Sequence, residues 1–223
     1  MAVVVRRPPP WTMGPVSDER SMDTTAEVEP EEVAGPEADT GPDTPTEEPP
    51  LPPRRAWLFA LIAPLIFAAD LITKIIAVAT LENEPPLRLL GGAVYLQLVR
   101  NPGAAFGMAT GMTWLLTLVA TGVVVAIIWI MPKLRSAGWA VGLAMVLAGA
   151  LGNLVDRFFR EPGPLRGHVV DFVSVFGPNG DVWPVFNVAD SSIVCGGILI
   201  VLMSLLGHDY DGRKVTNEKK TKK

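Results

Sequence analysis

Apolar residues dominate four long stretches of this chain, at about 56–80, 113–131, 138–155 and 187–206, and each is apolar around its whole circumference. A helix at the surface of a soluble bundle keeps one polar face. Runs of roughly 18–25 apolar residues are instead long enough to cross about 30 Å of hydrocarbon, so the pattern predicts four transmembrane helices. Two shorter stretches, VYLQLV at 94–99 and HVVDFVSVF at 168–176, are rich in β-branched and aromatic residues and lie beside Gly/Pro punctuation. These read as strands. The expected fold is an all-α membrane protein of four transmembrane helices, with a small β-sheet and loops on its outer face. The third span places Gly138, Gly142, Ala144, Ala148 and Gly152 at close-packing intervals. Such spacing brings helix backbones together, and packing within one chain accounts for it.

Composition divides the chain in two. Residues 1–53 hold twelve acidic side chains, three arginines and twelve prolines, with few apolar residues to bury, and read as a disordered cytoplasmic tail. The opening MAVVVRRPPP lacks the apolar core of a signal peptide. The remaining residues carry sixteen Lys/Arg against eleven Asp/Glu, so the overall acidity belongs to the tail and argues for no nucleic-acid partner. Basic residues divide unevenly about the spans. Arg54, Arg55, Lys133, Arg135 and six in the basic C-terminal tail of 208–223 share one side, which places both termini in the cytoplasm. The loops 81–112 and 156–186 then face outward. The single cysteine, Cys195, excludes an intrachain disulfide and reads as a small packing residue. Two histidines, His168 and His208, are too few for a histidine-built metal site.

Several polar residues interrupt the apolar runs. Asp70 and Lys74 are four apart in DLITK, which stacks them on one helix face as an ion pair. An unpaired charge at a bilayer centre costs roughly 2.5–3.5 kcal/mol on insertion scales. A catalytic lysine is the other reading, but no serine stands out as its nucleophile. In RNPGAAFGM, Asn101 offers donor and acceptor while Gly103 and Gly107 permit close backbone approach, although an ordinary Asn-Pro-Gly turn has the same sequence. In GALGNLVDRFFR, Asp156 falls near a helix C-terminus, where the macrodipole disfavours an anion, with Arg157 and Arg160 as the nearest cations. An interfacial anchor explains those arginines and the phenylalanines beside them. It leaves Asn153 unexplained.

Asp171 and Asp190 are the most informative. Strand alternation puts Asp171 on one face with Val169, Val173 and Val175, where desolvation favours its protonated form. In FNVADSSI, Asn187 suits an N-cap and Asp190 the third helical position, which on its own needs no function. Two carboxyls brought together in a half-dehydrated site would share one proton, the arrangement for aspartic-type amide hydrolysis.

In chain order, DLITK (70–74), NPGAAFG (101–107), GNLVDR (152–157), VVDF (169–172) and WPVFNVAD (183–190) resemble the motifs of the lipoprotein signal peptidase family, the bacterial membrane aspartic proteases also called signal peptidase II. The resemblance covers about residues 56–206. It implies that Asp171 and Asp190 are a catalytic dyad. It implies that Asn101, Gly103, Asn153, Arg157 and Asn187 organise the site and its substrate contacts, while Asp70, Lys74 and Asp156 give structural support. The family removes signal peptides from prolipoproteins just before a cysteine that carries diacylglycerol; it needs no metal or other cofactor and is blocked by globomycin. The partners implied are diacylglyceryl-prolipoproteins and membrane lipids, and the state expected is a monomer. The enzyme is expected in the bacterial cytoplasmic membrane, with its site near the outer leaflet surface. Trp183, where phenylalanine is common, is a mild departure, and the acidic tail lies outside the family core.

Two rival readings remain at this level. Asp70, Lys74 and Asn153 suggest a relay in a proton- or ion-coupled transporter, although four spans without inverted repeats fit such an architecture poorly. Asp171, Asp190 and His168 suggest a metal-dependent hydrolase, with a thin ligand set for Mg or Mn.

Overall fold

The computed structural model describes residues 51–103 and 112–214; the acidic tail through residue 50, Gly107 and the lysines after residue 214 lie outside the described residues. Four long helices form where the apolar runs predict them: α1 (Ala56–Leu81), α2 (Thr113–Ile130), α3 (Ala137–Phe159) and α4 (Val188–Leu205). All four are long and apolar enough to cross a membrane. Their outer faces leave Leu61, Leu65, Ile75, Val125, Ile128, Ile198 and Val201 exposed, a surface that water would reject and hydrocarbon accepts.

The third helix is the central one, packed most extensively against α4 and α1. Its small residues make this possible. A Cβ on Gly142 would stand 3.1 Å from the Gly196 carbonyl oxygen of α4, and one on Gly152 would stand 2.2 Å from the Asp70 carboxylate of α1. The helix also runs four residues past the expected end at 155. Asp156 is tolerated in its last turn because Lys74 of α1 and Arg160 both pair with it.

At one end of the bundle, three antiparallel strands lie in the order β1-β2-β3, with β1 at Leu87–Leu89, β2 at Val94–Asn101 and β3 at Val169–Val175. The first strand is unexpected: it has three residues, all exposed, and follows two prolines. The register pairs Asp171 with Val99 and Val169 with Asn101, so Asp171 and Asn101 project from the same face. Phe186 adds an isolated bridge to Val173, exchanging hydrogen bonds of 2.9 Å in both directions, which places the start of α4 beside β3. At the other end, the Tyr210 carbonyl accepts the backbone N–H groups of Arg135 and Ser136, docking the segment after α4 against the turn between α2 and α3.

Candidate active site

The N-terminus of α4 is built by a reciprocal capping box, the local reading of FNVAD. The Asn187 side chain accepts the Asp190 N–H at 2.9 Å, and the Asp190 Oδ2 accepts the Asn187 N–H at 3.2 Å. Asn187 has a second task. Its amide nitrogen also donates to Asp171 Oδ1 at 2.7 Å, so one asparagine grips both acids. Asn101 donates to the other oxygen of Asp171 at 2.9 Å, as the strand register allows. Just after β2, the Gly103 N–H donates to Asn101 Oδ1 at 2.9 Å.

Asn153, unexplained by its position in the sequence, sits at the junction of these groups. Its Nδ2 donates to Asp190 Oδ1 at 2.8 Å, while its Oδ1 accepts from Asn187 at 3.3 Å and from Lys74 Nζ at 3.0 Å. A mid-helix asparagine in an apolar span is costly unless its donors and acceptors are met, and here they are. Arg157 is buried one turn on, donating to the carbonyls of Asn153 at 3.2 Å and Gly103 at 3.4 Å. Those partners are neutral, so its charge acts on the acids nearby.

Asp171, Asp190, Asn101, Gly103, Asn153 and Arg157 line one cavity of about 510 Å³. Its apolar wall is made by Trp183, Pro184, Val185 and Phe186 before α4 and by Ile193, Val194 and Cys195 on it. A polar floor under an apolar wall suits a ligand with a peptide and a hydrocarbon part. Asn187 is buried and is not among the lining residues, so it acts on the cavity through the groups it holds. Cys195 departs from its sequence reading: it is exposed on this wall and packs no core. His168 is not among the lining residues, so it does not join the two acids.

Burial first, and the neighbouring Asp190 carboxylate second, push the Asp171 carboxyl up to about 7 against the opposing effect of the Asn101 and Asn187 amides and the charge of Lys74. Asp190, at the third position of α4, accepts two N–H groups, one from the Asn153 amide and one from the Asn187 backbone. Asp171 is thus an acid that holds its proton close to neutral pH, with the Asp190 carboxyl in the same cavity.

Asp70, Lys74 and Asp156 lie beneath this floor and outside the cavity lining. Lys74 pairs with Asp70 at 2.8 Å, as the four-residue spacing requires, and with Asp156 at 2.9 Å, which no local pattern signals.

Residues 62–206 match the family described as Signal peptidase (SPase) II. A relative from Rhodococcus jostii (strain RHA1), named lipoprotein signal peptidase, is 55% identical over 205 residues that cover 92% of this chain and 100% of that one. A protein of the same name from Mycobacterium avium (strain 104) is 55% identical over 176 residues, 79% of this chain and 92% of its own. A bacterial membrane enzyme solved by the in meso method at 2.3 Å resolution is similar with a TM-score of 0.60 and 28% identity, covering 78% of this chain and 98% of that structure.

Proposed function

The chain belongs to the signal peptidase II family, membrane aspartic proteases that remove signal peptides from prolipoproteins, and on that premise we propose that Asp171 and Asp190 are its catalytic dyad. The observation that carries this reading is the single cavity both acids line, together with the one asparagine that holds them. The transporter reading has no support from the family assignment.

The dyad works on a water held between the two carboxyls. Asp190, ionised, takes one proton from that water as its oxygen attacks the scissile carbonyl carbon. Asp171, protonated, donates to the carbonyl oxygen and stabilises the charge that develops there. The tetrahedral intermediate then collapses. Its C–N bond breaks, the amine takes the proton from Asp190, and Asp171 recovers its own. Asn101 and Asn187 orient Asp171, Asn153 orients Asp190, and Arg157 contacts the substrate backbone with Gly103. The diacylglyceryl chains of the substrate lie against the apolar wall, so cleavage falls just before the lipidated cysteine. Arg54, Arg55, Lys133 and Arg135 favour a topology with cytoplasmic termini, which sets the dyad near the outer leaflet surface.

Two expected results follow from the cavity. Asp171 must keep its proton, so kcat/KM should fall by about tenfold per pH unit above about pH 7. A rate profile that stays flat into alkaline pH contradicts this assignment. Coupling a bulky maleimide to Cys195 should remove most cleavage by filling the wall, and the Cys195→Ser enzyme, whatever its own rate, should not respond to the reagent.

The reaction is tested by giving the purified protein a diacylglyceryl-prolipoprotein and its unmodified precursor, in detergent with EDTA, and mapping products by mass spectrometry. Cleavage of the lipidated chain alone, on the N-terminal side of its modified cysteine, is expected. Equal cleavage of both precursors, or dependence on metal, overturns the reading.

A further inference from the structure

The dyad rests on a buried ionic group whose geometry goes beyond support of the fold. Lys74 Nζ donates to Asn153 Oδ1 at 3.0 Å and is ion-paired with Asp70 Oδ2 at 2.8 Å and Asp156 Oδ2 at 2.9 Å. Each of those partners in turn reaches one of the two aspartates or the residue before it. Asp70 Oδ1 accepts the N–H of Ala189 at 2.8 Å, the residue before Asp190. Asp156 Oδ2 accepts the N–H of Val170 at 3.2 Å, the residue before Asp171. Asn153, its amide oriented by Lys74, presents its Nδ2 to the Asp190 carboxylate at 2.8 Å. One ammonium thus fixes, through three short links, the backbone ahead of both acids and the side chain of one.

Stability alone is a poor explanation for this group. Desolvating an ammonium and two carboxylates offsets much of their attraction, and apolar replacements of buried ion pairs are often neutral or stabilising. What such a group does supply is fixed geometry, and hydrolysis depends on it, since a displacement of about 1 Å can cost about a hundredfold in rate. We infer that Lys74 is a positioning residue of the dyad, setting the placement of Asp171 and Asp190 relative to each other through Asp70, Asp156 and Asn153. This rests on the dyad reading above.

The test compares Lys74→Met and the charge-balanced pair Asp70→Asn/Lys74→Met in full-length protein. The second variant removes one charge of each sign, keeps an oxygen on the Ala189 N–H and leaves Asp156 paired with Arg160, so it carries the test should the first fail to fold. Folded protein of either kind should lose about tenfold to a hundredfold in kcat with KM changed by less than about threefold. The pH profile supplies the second readout. The charged groups that act on Asp171 are Asp190 from α4, Arg157 from α3 and Lys74 from α1, while Asp156 of α3 holds the N–H of the residue before it. Lys74 opposes the rise of the Asp171 pKa, so Lys74→Met should move the alkaline limb to higher pH, whereas the charge-balanced pair is read on kcat and KM. A folded variant of either kind with kcat unchanged, or Lys74→Met slowed with an unmoved limb, overturns the positioning role and leaves the dyad intact. Cleavage that survives Asp171→Asn or Asp190→Asn in the same assay removes the dyad and the proposal with it.

Discussion

Replacing either Asp171 or Asp190 by asparagine should lower the rate of prolipoprotein cleavage by at least about 10⁴-fold, because each substitution removes one proton-transfer partner from the reacting water. The two losses have different chemistry. The Asp190→Asn enzyme has no anionic oxygen to take the proton of the attacking water. The Asp171→Asn enzyme donates through an amide, which cannot release its proton to a developing oxyanion. Both substitutions keep the side-chain shape, but each also disturbs its hydrogen bonds. Asp171 receives two amide donors and Asp190 receives one amide and one backbone N–H. An asparagine can satisfy only one donor of each set, so a modest fall in melting temperature should accompany the loss. Thermal unfolding in detergent separates the effects: a folded protein without activity supports the dyad, and a rate within about tenfold of the native enzyme contradicts it.

Gly149→Val should break the packing of α3 against α4. A Cβ at Gly149 would stand 2.3 Å from the carbonyl oxygen of Ala189, 2.6 Å from Ser192 Oγ and 2.7 Å from Ile193 Cγ1. The first of these is backbone, and it cannot retreat freely, since the Ala189 N–H is held by the buried Asp70 carboxylate. Either α3 and α4 separate or α4 slides, and in both cases the most extensive interface of the bundle is lost. Overpacking of this kind typically costs about 1–3 kcal/mol, and a clash against anchored backbone belongs at or above the upper end. Gly197 lies on the same helix pair and has nothing within 4 Å of a built Cβ, so Gly197→Val serves as the comparison. Little folded protein is expected for the first and near-native yield for the second; equal yields would contradict the packing argument.

The contrast between these sites and the rest of the chain explains what the sequence made legible. Apolar runs are local, and they predict the four helices within a few residues. The capping box of α4 is also local, since Asn187 and Asp190 are three apart, and the Asp70–Lys74 pair follows from one helical turn. Contacts between distant elements leave no such trace. Asp156 lies far from Lys74 in the chain, and nothing near either residue announces their meeting. The same holds for Asn153, which looks misplaced in its span until Lys74, Asn187 and Asp190 surround it. The strand at Leu87–Leu89 is too short and too exposed to register as a pattern. Cys195 misleads because its apolar neighbours suggest a buried helix, whereas α4 turns it toward the cavity wall.

Function is a property of that wall and floor together. The family assignment names the reaction, and the geometry says why these residues suit it. A desolvated strand acid faces an acid at a helix N-terminus, with asparagines on both and an apolar wall in the same cavity.

The dyad reading requires that the pair carry one proton near neutral pH and that Asp171 hold it. Infrared difference spectroscopy of the purified enzyme, titrated from acid to alkaline pH, measures this directly through the carbonyl stretch of a protonated carboxyl. A band that is lost with a midpoint near 7, absent in Asp171→Asn and shifted to lower pH in Asp190→Asn, is the expected result. A band that persists unchanged in Asp171→Asn, or no band titrating in that range, would contradict it.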